Sequence, residues 1–297
     1  MTDFGPDAIG GIVPPMTTPF SAAGEIDEAA FRAEARFLLG AGVHGLAVAG
    51  STGEGHALST DEVCRLTAIA VEEADGRVPI VAGIIVDSTQ QAIDRGAAAA
   101  EAGAAALQVT PVHYLFRPDD AHMKEHFREM AEAVASPIII YNVVPWTYLS
   151  PELLVEIMTD IPGVVGVKQS AGDLKLFADL MATAPEGSRI MSAVDALMYP
   201  SFTLGAHGAV AAILTAAPKA SVILWDAVAD GDHAAALDLH LRLLPLWNAM
   251  IDDNLPAAVK AALDFQGVAG GLPRRPMPVA SNSQRSAIAA ALKELPQ

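Results

Sequence analysis

Short apolar runs rich in Val and Ile recur along this 297-residue chain, and longer Ala-rich amphipathic segments separate them. Runs of this length and composition are typical of strands that are buried on both faces, and the segments between them have the length of helices. Strands that alternate with helices predict βαβ units around one parallel sheet. Eight strand runs are present: Ile9–Val13, Gly45–Ala49, Pro79–Gly83, Ala105–Val109, Pro137–Tyr141, Val164–Lys168, Arg189–Ser192 and Gly208–Ala212.

The signals for helix ends agree with this alternation. Ser59–Glu62 and Ser88–Gln91 have the spacing of capping boxes, and Ser150 is followed by a proline at the first helical position. Three of the helical segments are followed by a glycine, at Gly42, Gly76 and Gly103. Because no Pro-, Gly- or Ser-rich linker interrupts the eight units, we expect an α/β fold that closes into a (β/α)8 TIM barrel.

The last part of the chain follows a different pattern. From Asp232 onward the sequence is helical in character and contains no further strand run. We therefore predict a catalytic barrel at residues 1–231 and a C-terminal helical extension of the same domain at residues 232–297. Barrels of this length commonly form a single domain. The appended helices are expected to cover the outside of the barrel or to serve an oligomer contact.

The charge balance limits the possible partners. The chain carries 35 acidic and 18 basic residues, a formal net charge of -17. Such a charge repels nucleic acid and anionic lipid, so neither nucleic acid nor a membrane is an expected partner. No apolar run approaches the roughly 18 residues that span a bilayer, and no signal segment opens the chain. The single cysteine, Cys64, has no thiol to pair with, which fits a soluble protein in the reducing cytoplasm.

The barrel predicts where reactive groups lie, because such groups project from the C-terminal ends of the strands and from the loops that follow them. The polar residues at these positions are Thr17, Thr18, Ser51, Thr52, Glu54, Tyr114, Tyr141, Asn142, Lys168 and Asp195.

Lys168 is the lysine that closes a strand. The other five are predicted to lie in polar, helix-like surroundings: Lys124, Lys175, Lys219, Lys260 and Lys293. An ordinary lysine is almost fully protonated at neutral pH, and desolvation among apolar neighbours increases the fraction of free amine. Lys168 is therefore a candidate carbonyl nucleophile. A structural ion pair with Glu54 or Asp195 explains the same position, and the sequence leaves both interpretations open.

Tyr141 ends the neighbouring strand run, so its phenol is expected close to the amine of Lys168. There it would move protons during carbinolamine formation and carbon–carbon cleavage. The alternative is an amphipathic tyrosine at the edge of the core, which is the commoner role.

The turn Gly50–Gly55 is rich in glycine and hydroxyl groups. Its amides and hydroxyls are suited to holding a carboxylate without an arginine, because glycine lets the backbone approach a ligand closely. A tight strand-to-helix connection is the alternative. The spacing of the glycines excludes a dinucleotide or P-loop fingerprint.

The segment Ala49–Gly53 raises a different mechanism, because it nearly matches the G-x-S-x-G elbow of serine hydrolases. Asp195 and His207 follow Ser51 in the hydrolase order. The first glycine of the elbow is absent, however, and that fold does not require eight equivalent strands.

A metal site is not predicted. His122 and His126 have i, i+4 spacing, but the sequence between them lacks the Glu of H-E-x-x-H and the surroundings are charged. A solvated helix face is the expected environment of both histidines.

Four motifs in register resemble the dihydrodipicolinate synthase/N-acetylneuraminate lyase family: Gly50–Glu54, Val109–Pro111, Tyr141–Val143 and Gly166–Lys168. Their order and spacing match over nearly the whole chain. The resemblance implies a class I mechanism without a cofactor, in a homotetramer or dimer. It implies that Lys168 forms the Schiff base, that Tyr141 transfers protons, and that Ser51 and Thr52 bind the pyruvate carboxylate and relay protons. Candidate catalytic residues are then Lys168, Tyr141, Ser51 and Tyr114; candidate substrate-binding residues are Thr52, Gly50, Trp146, Asp195 and Val210.

Two departures bear on the substrate. Synthases of the family carry an arginine that clamps the second substrate's carboxylate, and the matching position here is Trp146. The loop 110–118 is longer than its usual family counterpart, and Tyr114 is the candidate for the tyrosine that members lend to a neighbouring subunit. Phe116, Trp146 and Tyr148 would line a pocket for a bulky or aromatic aldehyde, although ordinary packing explains three loop aromatics equally well.

The function that these observations favour is an aldolase or lyase that interconverts a 4-hydroxy-2-oxo acid with pyruvate and an aldehyde. A dehydratase or deaminase of a 2-oxo-3-deoxy acid uses the same lysine. The synthase reaction is disfavoured by Trp146, and a non-catalytic barrel that binds 2-oxo acids is an alternative of another class. The sequence does not identify the aldehyde.

Overall fold

The computed structural model describes residues 4–296 and contains one sheet of eight parallel strands. The strands are β1 (Gly11–Ile12), β2 (Leu46–Val48), β3 (Ile80–Ile84), β4 (Ala106–Val109), β5 (Ile138–Asn142), β6 (Val164–Gln169), β7 (Arg189–Ser192) and β8 (Gly208–Ala209). Each strand lies within or largely overlaps one of the eight apolar runs. The prediction of eight βα units is therefore confirmed.

The sheet closes on itself. Its order is β1-β8-β7-β6-β5-β4-β3-β2, and the two end strands meet through backbone hydrogen bonds. The amide of Met16 donates to the carbonyl of Ala47 at 2.8 Å, and the amide of Ala47 donates to the carbonyl of Pro14 at 2.9 Å. A closed barrel leaves no unpaired edge, which confirms the barrel over an open sheet.

Helices surround the barrel and continue beyond it. The barrel helices are α1 (Glu28–Gly40), α2 (Thr60–Ala74), α3 (Thr89–Glu101), α4 (Asp120–Ala133), α5 (Pro151–Asp160), α6 (Leu174–Thr183), α7 (Met198–Thr203), α8 (Ala212–Ala216) and α9 (Pro218–Ala229). Three more helices follow: α10 (His233–Met250), α11 (Leu255–Phe265) and α12 (Asn282–Leu292). The appended C-terminal helices are therefore confirmed.

The predicted helix ends are present. Ser59 and Glu62 form a complete capping box at α2, and Ser150 caps α5 through the amide of Leu153. Ser88 caps α3 through the amide of Gln91. The glycines after α1, α2 and α3 have positive φ, a backbone conformation that costs glycine nothing. These glycines are Gly42 at 83°, Gly76 at 69° and Gly103 at 101°.

The barrel interior is a packed apolar core. Side chains from seven strands or their flanking residues meet there: Ile9, Val13, Ala47, Val81, Ala106, Ile139, Met191 and Val210. This filling is why the barrel is no pore, and why chemistry is confined to its mouth.

The C-terminal segment packs on the barrel. Helix α10 contacts α9 and α12, and α11 contacts α8 and α12. Leu272 exchanges two backbone hydrogen bonds with Phe20, of 2.9 and 3.1 Å. The division of the chain at residue 231 stays a prediction. Between residues 4 and 296, no helix combines the length and the apolar character that crossing a membrane requires.

Candidate active site

Polar side chains from the C-terminal ends of several strands converge on a cavity of about 260 Å³. The polar lining residues are Ser51, Thr52, Tyr141, Lys168, Ser170 and Asp195. The remaining lining residues are Pro15, Val143, Ala193, Val194, Val210, Ala211, Ala212, Trp247 and Leu255. A larger cavity of about 450 Å³ lies where α2 and α3 run into β3 and β4, at the opposite end of the barrel, and no titratable side chain lines it. The smaller cavity is at the C-terminal ends of the strands, where barrels of this kind carry their reactive groups, so it is the candidate active site.

Lys168 lies on β6 with 3% of its surface exposed. Burial lowers the pKa of its amine to about 7, and the nearby Asp195 carboxylate opposes this change. A pKa near neutrality leaves a large fraction of the amine unprotonated, which a carbonyl nucleophile requires.

Tyr141 lies beside Lys168 because β5 and β6 pair in a register that puts the two residues opposite each other. The Nζ atom of Lys168 is 3.6 Å from the centroid of the phenol ring. The phenol oxygen is 3.0 Å from Oγ of Ser51. Burial raises the pKa of Tyr141 to about 12, and the charge of Asp195 adds to this, although the hydrogen bond with Ser51 lowers it. The phenol therefore stays protonated and is connected to a hydroxyl of the Gly50–Gly55 turn.

Asp195 follows β7 and faces the same cavity. Its Oδ1 atom accepts a hydrogen bond of 2.6 Å from the amide of Ile213. Burial raises the pKa of its carboxyl to about 6, against backbone hydrogen bonds and the charge of Lys168. In the part of the chain that the structure describes, Asp195 and Lys168 form no ion pair within 4.0 Å. The amine is therefore influenced by Asp195 without being tied to it.

The Gly50–Gly55 turn brings Ser51 and Thr52 to the cavity. The amide of Gly55 donates to the carbonyl of Gly50 at 2.9 Å. A Cβ atom on Gly55 would lie 1.9 Å from the carbonyl oxygen of Ala49, so only glycine fits there. Gly50 is less restricted, because a Cβ on it would lie 2.9 Å from Nε2 at the end of the Gln108 side chain, which can move.

Glu54 was considered as an ion-pair partner of Lys168, but it pairs with a different lysine. Its carboxylate pairs with Lys260 of α11 at 2.6 Å, and both side chains are at most 2% exposed. Lys260 was predicted to lie in polar, helix-like surroundings; it lies on a helix with a polar partner, but its side chain is buried, which the sequence did not indicate. The helical pattern does not reveal which face of α11 packs on the turn, so the burial of this lysine required the tertiary structure.

The predicted loop residues do not line the cavity of the single chain. Tyr114, Phe116 and Trp146 are 65%, 80% and 66% exposed. The indole Nε1 of Trp146 donates to the carbonyl of His113 at 2.8 Å, and the hydroxyl of Tyr148 donates to the carbonyl of Ser170 at 3.2 Å. Phe116, Trp146 and Tyr148, which were proposed to form an aldehyde pocket, therefore do not line this cavity. The roles of Tyr114 and Trp146 stay predictions.

Several lining residues were not identified as site residues from the sequence, among them Ser170, Trp247 and Leu255. Ser170 follows β6 and satisfies the rule for strand-end loops, so that rule could have found it. Trp247 and Leu255 come from α10 and the start of α11, where an aromatic or aliphatic residue in a helix carries no signal of a site.

The serine-hydrolase alternative is wrong. Nδ1 of His207 accepts from the amide of Ile190 at 3.1 Å, at the beginning of β7, whereas Asp195 follows the end of that strand. His207 is therefore at the other end of the barrel from Ser51. Among the described residues that line the cavity there is no histidine to act as a base.

The two histidines of α4 have different environments. His122 is exposed, as expected, but His126 is buried, and this corrects the prediction of a solvated face for both. Its Nδ1 atom lies 3.0 Å from Oγ1 of Thr89, and burial lowers its pKa to about 4. Within residues 4–296, no cluster of three or more His, Cys, Asp or Glu side chains is placed to hold a metal ion.

A desolvated lysine beside a hydrogen-bonded tyrosine at the C-terminal mouth of a (β/α)8 barrel has the arrangement of a class I aldolase-type enzyme. The model of the dihydrodipicolinate synthetase family matches residues 8–295. The chain belongs to this family, whose members are enzymes of the aldolase, lyase and synthase type.

Individual relatives cover nearly the whole chain. A 4-hydroxy-tetrahydrodipicolinate synthase of Methanopyrus kandleri is 35% identical over 290 residues, which are 97% of this chain and 96% of the relative. The dihydrodipicolinate synthase of Aquifex aeolicus has a TM-score of 0.90 at 28% identity, over 96% of this chain and 98% of its own. YagE, a prophage protein of E. coli K12 solved in complex with pyruvate, has a TM-score of 0.91 at 25% identity, over 96% and 98%.

Proposed function

We propose that the protein is a class I aldolase or lyase that cleaves, or reversibly forms, a 4-hydroxy-2-oxo acid, with pyruvate and an aldehyde as the products of cleavage. The observation that carries the proposal is the buried amine of Lys168 against the ring of Tyr141, whose phenol contacts Ser51. A relative of similar structure was solved with pyruvate, which supports the choice of the 2-oxo acid.

The first half of the reaction forms the imine. The neutral amine of Lys168 adds to the C2 carbonyl, and Tyr141 moves a proton from nitrogen to oxygen to give the carbinolamine. The hydroxyl then leaves as water with the phenol proton, and this leaves an iminium next to a phenolate. The iminium charge stabilises the phenolate at this short distance. The substrate carboxylate lies against Ser51 and Thr52.

The second half breaks the carbon–carbon bond. The phenolate takes the proton of the C4 hydroxyl, the C3–C4 electron pair moves toward the iminium, and the aldehyde leaves. Tyr141 then protonates C3 of the enamine. Water adds to the pyruvate iminium, its extra proton returns to the phenolate, and pyruvate is released from Lys168.

The composition of the cavity wall favours an aldehyde substrate that carries no charge. Among the described residues that line it, Lys168 is the cation, and most of the others are apolar. A second carboxylate would therefore have no guanidinium to pair with.

The synthase reaction is the second candidate, because the relative from Methanopyrus kandleri and others of similar identity carry the synthase name. A dehydratase or deaminase would use the same lysine.

Trapping the imine tests the proposal. Borohydride added together with pyruvate should convert the imine to a secondary amine and increase the mass of the chain by the reduced adduct. Peptide mapping should place the adduct on Lys168. Labelling of a different lysine, or no labelling of an active preparation, would refute the proposal. A panel of 4-hydroxy-2-oxo and 3-deoxy-2-oxo acids then separates pyruvate release from loss of water.

The assembly and the location stay predictions. The exposed aromatic side chains of Tyr114, Phe116 and Trp146 support the expected homotetramer or dimer, because such patches on a monomer commonly mark an interface. The cytoplasmic location rests on the sequence alone.

A further inference from the structure

The turn that carries Ser51 and Thr52 is held in an unfavourable backbone conformation. Ala49, which precedes the turn, and Glu54, which lies within it, have φ of 55° and 56°. Residues with a Cβ adopt this left-handed region rarely, and they do so only where surrounding contacts determine the conformation. The amide of Glu54 also donates to the carbonyl of Ser51 at 3.0 Å, so contacts that hold Glu54 restrict the backbone at Ser51 as well.

Those contacts come mainly from the C-terminal extension. Both carboxylate oxygens of Glu54 are occupied, one by Nζ of Lys260 at 2.6 Å and the other by the amide of Arg274 at 2.8 Å. Nζ of Lys260 also donates to the carbonyl of Leu272 at 2.8 Å. A Cβ on Gly270 would lie 2.4 Å from the carbonyl oxygen of Lys260, so the chain passes directly over α11 at this point.

Arg274 fixes the other side of the same connection. Its guanidinium binds both carboxylate oxygens of Glu62, at 2.6 and 2.9 Å, and the carbonyls of Ala57 and Gly24. A bidentate guanidinium pair of this kind restricts orientation as well as distance. Residues of the C-terminal extension therefore bind the segment from the turn to the start of α2 at several points.

The ion pair between Lys260 and Glu54 is buried, so its loss should be more costly than the loss of a surface ion pair. Burial lowers the pKa of Lys260, and the carboxylates of Glu54 and Glu34 oppose this change. Removal of one member of a buried pair leaves the other charge uncompensated. By contrast, Lys175 and Asp179 form an i, i+4 pair whose side chains are 77% and 43% exposed. Loss of that pair should matter little.

We propose that Lys260 and Glu54 are positioning residues. They connect the C-terminal helices to the turn and thereby hold the Ser51 hydroxyl within hydrogen-bond distance of the Tyr141 phenol. Lys260 does not line the cavity; it acts on Glu54, Glu54 fixes the turn, and the turn holds Ser51 at 3.0 Å from the phenol oxygen. The inference rests on the proposed function, because it assigns these residues to the proton transfer of that reaction.

A double-mutant cycle between Lys260 and Ser51 tests the inference. Lys260→Met should lower kcat by about 10- to 100-fold, the effect expected of a small misplacement of a reacting group. In a Ser51→Ala background the same substitution should lower kcat by less than about threefold, because the group it positions is gone. Lys175→Met is the matched control and should leave kcat unchanged in both backgrounds.

Imine trapping distinguishes a failure of this inference from a failure to fold and from a failure of the proposed function. Borohydride with pyruvate should still label Lys168 in Lys260→Met, since the amine lies on a different strand. If Lys260→Met does not fold, Glu54→Asp, which keeps the charge but shortens the side chain, takes its place with the same expectations. Equal effects of the Lys260 or Glu54 substitution in the two backgrounds, or an unchanged kcat, would overturn the inference. Failure of the wild type to form the imine would instead refute the proposed function.

Discussion

Burial acts in opposite directions on the two groups at the centre of the site. It disfavours the charged form of each, so it lowers the pKa of the Lys168 amine to about 7 and raises that of the Tyr141 phenol to about 12. The result is a neutral amine beside a protonated phenol at the same pH. One physical cause thus gives both groups the protonation states that the proposed carbinolamine formation requires.

The pH dependence of imine trapping follows from this pKa. We expect the rate of borohydride trapping with pyruvate to rise about tenfold per pH unit below pH 7 and to level off above it, as Lys168 loses its proton. Mass spectrometry of the adduct at a series of pH values measures this rate. A lysine with an ordinary pKa near 10.4 would instead show a continuing rise up to about pH 10, and that outcome would contradict the assignment.

Tyr141 is proposed to move protons rather than to bind substrate. Tyr141→Phe should lower kcat by roughly 10²- to 10⁴-fold, the usual range for general acid–base groups, with much less change in pyruvate affinity. Steady-state kinetics and pyruvate titration measure the two effects. Tyr199→Phe is the control, because the Tyr199 hydroxyl lies 3.5 Å from His233 and outside the cavity. Near-normal turnover of Tyr141→Phe would return this residue to a packing role.

Among the secondary-structure elements, α1 contributes a buried titratable group that the proposed mechanism does not use. Glu34 lies on its inner face and accepts hydrogen bonds from the amide and the hydroxyl of Thr17, at 2.7 and 2.6 Å. Burial raises the pKa of its carboxyl to about 7, although Thr17 and the charge of Lys260 oppose the change. The helix is therefore fixed to the loop after β1 through a carboxyl that the fold prefers protonated.

This preference makes the stability of the fold depend on pH. The folded pKa of Glu34 lies above its usual value of 4.5, so its contribution is fully present below about pH 4.5 and is lost as the pH rises through about 7. Relative to wild type, Glu34→Gln should gain about 3 kcal/mol of unfolding free energy over this window. Urea unfolding at several pH values measures the difference, in which the contributions of other titrating groups cancel.

Glu28→Gln is the control for that measurement. Glu28 lies on the same helix but is exposed, and its hydrogen bond with Arg65 lowers the pKa of its carboxyl. Relative to wild type, Glu28→Gln should show no gain in the free energy of unfolding as the pH rises. A flat difference between wild type and Glu34→Gln would show that Glu34 titrates at its ordinary pKa in the folded protein, which would contradict the raised value.

At the scale of the whole molecule, the cavity combines barrel loops with the C-terminal helices. Trp247 and Leu255 supply part of its apolar wall, while the loop aromatics around Trp146 remain at the surface. The chain as a whole carries a net charge of -17. Neither the wall nor the overall charge favours a second anionic group on the substrate.

We therefore expect the wild type to prefer aldehydes with an uncharged distal end. A missing charge-assisted hydrogen bond corresponds to roughly 1.5–3 kcal/mol, so kcat/KM for an aldehyde with a distal carboxylate should be about 10- to 150-fold lower than for a neutral analogue. Competition assays with matched aldehydes and pyruvate measure this ratio. Efficient condensation of pyruvate with aspartate semialdehyde would contradict it. Arg117, a cation of the loop 110–118 that pairs with Asp120 at 3.0 Å, is the candidate for such a clamp, and Arg117→Gln would then test its involvement.

Local patterns were sufficient to predict the fold and the centre of the site. Strand and helix formation depend on the periodicity of nearby residues, and for this reason the eight strands and the caps at Ser59, Ser88 and Ser150 were found where the sequence indicated. The position of Lys168 at a strand end and of Tyr141 on the next strand followed from the barrel itself, because parallel neighbours bring their C-terminal ends together.

Contacts between distant parts of the chain required the tertiary structure. Lys260 was predicted to lie in polar, helix-like surroundings and is buried on Glu54, which is 206 residues away in the sequence. His126 was expected in solvent and is buried, and Trp247 reaches the cavity from a helix without any site signal. The sequence determined which residues form each element, because those interactions are local. Only the tertiary structure decided which helix faces meet and which charges lose their water, because packing depends on the whole chain at once.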